Sequence, residues 1–295
     1  MELALTWDDT LGKDFKYNIS LNGSYNKNEV GNIPTSDGII HGAGDELYNN
    51  ASEFYRAENG QPIGYFWGYK TAGIFQNTQE IDEWRAAGNG ILQSNVQPGD
   101  VRFVDRNHDG QINDKDKVNL GNGTPDFTLG LNLGFVYKGF DFSIVANGAF
   151  GQQIVQSYRN HTRPTPNYTT AILDRWHGEG TSNRIPRVTD SNINYQFSDL
   201  FIQNGDYLRL STLTLGYDFA KLFKGKAVSQ ARLYFQVQNL FIITGYDGMD
   251  PEIGFGSSNN SWVSGLDYGY YPRPRTVLVG VNLKFLSLIH ISEPT

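Results

Sequence analysis

One twelve-residue run concentrates the oxygen chemistry of this chain: Asp105-Arg-Asn107-His-Asp109-Gly110-Gln111-Ile112-Asn113-Asp114-Lys115-Asp116. Side-chain oxygens fall at positions 1, 3 and 5, a glycine at 6, a main-chain carbonyl at 7 and a carboxylate at 12. That is the order in which an EF-hand-type loop presents oxygen to calcium, the glycine permitting the sharp turn that lets the first carboxylates converge. The expected ligands are Asp105, Asn107, Asp109, Gln111 through its carbonyl, and Asp116, which stands where Glu is usual. Calcium here would be structural, cross-linking a long loop, since nothing beside it suggests catalysis. The competing reading is an Asx-rich turn with solvated carboxylates.

A second set could hold a ligand by ring faces. Tyr158, Tyr168 and Trp176 lie in one irregular stretch, and Trp262, Tyr268, Tyr270 and Tyr271 in another. Of these, Tyr158, Trp176, Trp262 and Tyr270 are the candidate contacts for a sugar ring or a peptide side chain, weighed against a role as packing anchors or girdle residues. Arg159, Arg163, Arg175, Arg184 and Arg187 share the first stretch, either to meet an anionic ligand or as solvated loop charges. No catalytic pattern emerges. The five histidines (41, 108, 161, 177 and 290) are scattered, with no His-Glu-x-x-His, Gly-x-Ser-x-Gly or Gly-x-Gly-x-x-Gly. The expectation is that the chain is not an enzyme. A net charge of −7 without a basic run argues against nucleic acid as a partner.

The elements that must position these residues announce themselves by alternation. From Phe127 to Tyr137 every second residue is apolar or aromatic, and the pattern resumes at Phe140 after Lys138-Gly139. A period of two on both sides of a dipeptide means a hairpin with one apolar face. Each run has the roughly 9–11 residues of a tilted strand that crosses a hydrocarbon core. Similar alternation marks 3–7, 15–25, 213–219, 231–237 and 277–285, about seven antiparallel strands in all. The 78–88 segment is the one helix candidate, capped by Thr78 and stopped by Gly88. The aromatic segment 62–75 is assigned to an external layer. Connections run short, long, short, long, short, long, the sorting of a bacterial outer-membrane barrel.

Composition agrees with crossing by strands. Hydrophobic residues make up 39% and aromatics 14%, with 33 glycines and no cysteine. Mean hydropathy is −0.45, and no run approaches the 18 or more apolar residues of a membrane helix. The first ten residues lack the basic start and apolar core of a signal peptide. The alternative is a secreted soluble β-sandwich that binds or cleaves polysaccharide, in which two such apolar faces would meet in one core.

The segments "QPIGYFWGYKTAGIF" (61–75), "QPGDVRFVDRNHDGQINDKDKVNLGNGTPDFTLGLNLGFVYKGFDFS" (97–143), "NGDYLRLSTLTLGYDF" (204–219), "QVQNLFIITGYDGMDPEI" (236–253) and "YPRPRTVLVGVNLKF" (271–285) together resemble the C-terminal part of the SusC/RagA-type TonB-dependent transporters of Bacteroidetes. The resemblance implies an all-β fold: residues 1–285 as part of a plugged barrel of about 22 strands, with long extracellular loops, the plug and N-terminal strands lying outside this sequence. It further implies location in the cell outer membrane and active import of glycans or peptides. The implied partners are TonB, reached through the N-terminal region, a SusD-like surface lipoprotein, outer-membrane lipid and an oligosaccharide or peptide substrate. Phe285 resembles the family's terminal aromatic. Residues 286–295 break the alternation and read as a non-native tail.

Overall fold

Alternating residues form strands when both faces find a suitable solvent, and here they form one large sheet. The computed structural model describes residues 1–47, 51–157, 169–189, 192–220, 228–254 and 261–285. Seven long strands carry the alternation: β1 (Glu2–Leu11), β2 (Phe15–Tyr25), β3 (Phe127–Tyr137), β4 (Phe140–Phe150), β5 (Tyr207–Asp218), β6 (Val228–Thr244) and β7 (Thr276–Phe285). They pair antiparallel in chain order, each with its sequence neighbours. The turn between β3 and β4 is the two-residue kind that matches strand twist. Lys138 and Gly139 both have positive φ, 48° and 95°.

Register puts every strand in phase. Trp7, Ile19, Leu133, Ile144, Leu213, Val237 and Val277 form one row across the sheet. The adjacent row, on the other face, reads Thr6, Ser20, Asn132, Val145, Thr212, Gln238 and Thr276. The apolar face is bare: Trp7 is 61% and Val279 70% exposed. No second sheet covers it among the described residues, so the sandwich reading fails on its own criterion.

Aromatic rings edge this face at both ends. Near the short turns Phe15, Tyr137, Phe140 and Tyr217 lie in neighbouring positions, Phe140 and Tyr217 with centroids 4.4 Å apart. At the far end Tyr25 faces Phe127, which packs on Phe150 at 6.2 Å. Phe127 and Tyr137 bracket β3, an eleven-residue strand. At about 3.3 Å per residue and a tilt of about 40°, the band between the girdles is about 25 Å tall.

The buried core lies elsewhere. The connections 26–126, 151–206 and 245–275 leave from the same end of the sheet, and their described residues pack into one cap. Its main cluster joins Leu47, Phe54, Tyr55 and Phe66 from the first connection, Val155 and Phe197 from the second, and Val263 and Leu266 from the third. Short strands stitch it together: a four-stranded sheet from 39–41, 55–58, 65–68 and 118–122, a three-stranded one from 153–156, 202–204 and 266–267, and a pair from 71–74 and 101–103. The aromatic segment 62–75 falls in this cap, in the strands Tyr65–Gly68 and Thr71–Ile74. The helix α1 spans Thr78–Ala86. Its cap is Asn77 rather than Thr78, because the Asn77 side-chain oxygen is the one that accepts from the Glu80 N–H, at 3.0 Å.

Candidate functional site

The 105–116 loop sits on the cap, entered from the short strand Val101–Phe103 and closed by a 3-10 turn at Asp114–Asp116. Its polar side chains turn back onto the loop's own backbone. Asp105 is fully buried, and its Oδ2 accepts from Gly110 N–H at 2.8 Å and from Gly90 N–H at 3.0 Å. Asn107 Oδ1 accepts from Asp109 N–H at 3.1 Å, and Asp109 Oδ1 from Gln111 N–H at 2.9 Å. Gly110, at φ 79°, makes the turn. Asp116 is buried too, its Oδ1 accepting from Arg106 N–H at 2.9 Å and its Oδ2 from Asn113 N–H at 2.8 Å. The loop thus brings Asp105, Asn107, Asp109 and Gln111 together in sequence order and folds Asp116 back across its entrance. No three carboxylates or imidazoles form a preassembled metal cluster among the described residues.

Two further polar assemblies hold the cap, and neither was read from the sequence. Asp100 is buried, and its Oδ1 accepts from Arg187 Nε at 2.7 Å and Asn194 Nδ2 at 2.8 Å. The second centres on His41, whose Nδ1 lies 2.9 Å from Glu53 and Nε2 3.1 Å from Asp37. Glu53 also binds Arg56, whose guanidinium lies 3.3 Å from the Trp67 ring centroid. The hydrogen bonds that the imidazole donates to Glu53 and Asp37 raise it above its ordinary value against burial and the Arg56 charge, and the same contact helps hold Asp37 down to about 2.

No family model matches the chain. Over 96% of its length it is 31% identical to TonB-dependent receptor P3 of Formosa agariphila, and over 97% it is 28% identical to TonB-dependent receptor SusC of Bacteroides thetaiotaomicron. The chain is thus similar in sequence to SusC and other TonB-dependent receptors. It spans 28% of the first receptor and 26% of the second. Among solved structures it superposes on the RagAB peptide importer in its open-open state with a TM-score of 0.67 at 21% identity, and in its closed-closed state with 0.69, covering 96% of this chain and 28% to 29% of that one. The seven-stranded sheet therefore has the fold of a section of a large barrel.

The aromatic candidates scatter. Trp176 packs where a Cβ on Gly99 would touch its ring, and its Nε1 donates to Gln76 Oε1 at 3.2 Å. Trp262 stands edge-on to buried Tyr55 with centroids 5.4 Å apart, at the rim of the main core. Tyr268 donates to Glu46 Oε2 at 2.8 Å. Tyr270 is 40% and Tyr271 87% exposed. Tyr158, Tyr168, Arg159 and Arg163 lie outside the described residues, as does the tail 286–295. Of the loop arginines, Arg187 is committed to Asp100, and Arg175 donates to Ile172 O at 3.1 Å. The calcium-pattern residues thus share one loop, whereas the aromatic set is spread over the cap.

Proposed function

We propose that this chain supplies outer-membrane strands and the external cap of an importer of glycans or peptides, energised through TonB and working with a SusD-like lipoprotein. The sheet carries the reading: one face is apolar across seven strands and edged by rings at both ends, while the buried hydrophobic clusters sit in the loops at one end. Such a sheet suits lipid on its outer face, a wet lumen on its inner face and ligand-facing loops on one side of the membrane. The relatives are named as receptors, and the solved neighbours as a peptide importer. The cap is a scaffold whose exposed rings, Tyr270 and Tyr271 among them, face whatever the barrel admits.

Deleting the gene for the whole protein in its host tests this. Uptake of labelled oligosaccharides or peptides should fall to background, and depleting TonB should have the same effect. Recovery of the protein from the soluble fraction, or uptake unchanged in both strains, would overturn the proposal.

A further inference from the structure

The two buried carboxylates on either side of the strand Val101–Phe103 are treated very differently by their surroundings. Asp100 has a guanidinium and an amide. Asp105 has neither: its Oδ2 takes two backbone N–H groups, and its Oδ1 is buried with no hydrogen-bond partner. No ion pair to Asp105 occurs among the described residues, although it is fully buried. A buried carboxylate oxygen with neither cation nor donor is strongly unfavourable, and such groups are ordinarily paired or coordinate metal. The orphan atom belongs to position 1 of the calcium pattern, where a metal-bound oxygen is required. The loop's bonds from Gly110, Asp109 and Gln111 occupy other oxygens or other lone pairs and leave that atom free.

We infer that the 105–116 loop binds one calcium ion, with Asp105 Oδ1 as its anchoring ligand. Asn107, Asp109, the Gln111 carbonyl and Asp116 supply the remaining protein oxygens. The two oxygens of Asp116 each accept one backbone N–H and keep a further lone pair. Amide and main-chain oxygens complete a calcium shell without a preassembled carboxylate cluster, and all-oxygen donors of this kind favour calcium over a transition metal. The ion has a mechanical consequence beyond the loop. Gly90, behind α1, donates to Asp105, and its carbonyl accepts from Trp84 Nε1 of the helix at 3.1 Å. A Cβ on Gly90 would come within 2.9 Å of the Gln111 backbone, so the two segments are in close contact. Fixing Asp105 therefore fastens the end of α1 to the loop.

The chain from Trp84 through Gly90 to Asp105 also provides the readout. The full-length protein, purified in detergent and stripped with a chelator, is titrated with terbium under tryptophan excitation. One terbium per chain should luminesce, calcium should displace it with an affinity of about 0.1–1 mM or tighter, and magnesium at the same concentration should not. Trp84→Phe should dim the signal without changing the displacement curve. Asn107→Ala and Asp109→Ala, both exposed and outside the cap's buried clusters, should each weaken binding at least tenfold, and Asp105→Asn should abolish it. Asp114→Asn, outside the ligand positions, should bind as the parent does. Absence of a saturable site in the parent protein, or binding that survives the Asn107 and Asp109 changes together, would overturn the inference.

Discussion

Asp100 shows at the scale of a residue how the cap is fastened. It joins connections 87 and 94 residues apart through Arg187 and Asn194. Removing one partner of a buried ion pair typically costs about 3–5 kcal/mol, because the other charge stays behind. Arg187 is a quarter exposed, which places the expected loss for Asp100→Ala at the lower end. Limited proteolysis of the intact protein in detergent should then cut near 176–189 much faster in Asp100→Ala than in the parent, and unchanged cleavage would refute this. His41 gives a pH dependence. Its raised imidazole means that its contribution is full below about 6.5 and is lost as pH rises through the higher folded value. Asp37 acts in the opposite sense, contributing above its ordinary value and losing it as pH falls toward about 2. The contact is therefore fullest from about pH 4 to about 6.5. Hydrogen exchange in peptides covering 37–42 and 53–58, corrected for the intrinsic rate, should show more protection at pH 6 than at pH 9, and His41→Gln should erase the difference. The Asp100 partnerships have no local signal, since Arg187 and Asn194 lie about ninety positions away in unrelated motifs. The 105–116 pattern was legible because its oxygen-bearing residues lie within twelve consecutive positions.

At the scale of the strand, what alternation reveals and hides is visible in β5. Leu213, Leu215 and Tyr217 keep one phase, but Leu208 and Leu210 face the same side in the opposite phase. The register shifts between Leu210 and Thr212, and on β6 the shift is met near Asn239, at φ 51°. A bulge changes parity while keeping the apolar face outward, so reading from a fixed phase finds only 213–219 of a strand that begins at Tyr207. Strands without a bulge on their apolar rows, such as β2 and β3, are legible end to end. The two faces of β3 predict opposite outcomes for the same substitution. Leu133 stands mid-strand in the apolar row, and Asn132 beside it points to the polar side. Leu133→Arg should destabilise the barrel by about 2–4 kcal/mol, whereas Asn132→Arg should change stability little. Denaturant unfolding of the intact protein in lipid vesicles measures both. Equal effects would mean that the apolar row does not face hydrocarbon.

For the molecule as a whole, the two ends of the sheet matter more than its middle. β1 and β7 each have one neighbour, so a strand of ten residues at either edge leaves a row of backbone donors and acceptors without partners in the sheet. Inside a bilayer such groups must be paired, which a closed barrel achieves and an open sheet does not. A chain that spans 28% of its receptor relatives thus supplies strands whose edges need further strands to close. The cap shows the complementary case. Its core is assembled from three connections that read as irregular, because strands of two to five residues are too short for alternation to register and their partners are far off in sequence. Hydrophobic segments such as 62–75 mark where that core lies but not what they touch. Edges and bare face together determine how these 295 residues behave when produced alone. Water cannot satisfy an apolar face of seven strands, and both free edges invite pairing with another copy. The isolated chain should therefore sediment as aggregate from buffer and enter solution only with detergent. Recovery of a folded monomer without detergent, judged by light scattering, would mean that the face now assigned to lipid is covered by something else in the chain.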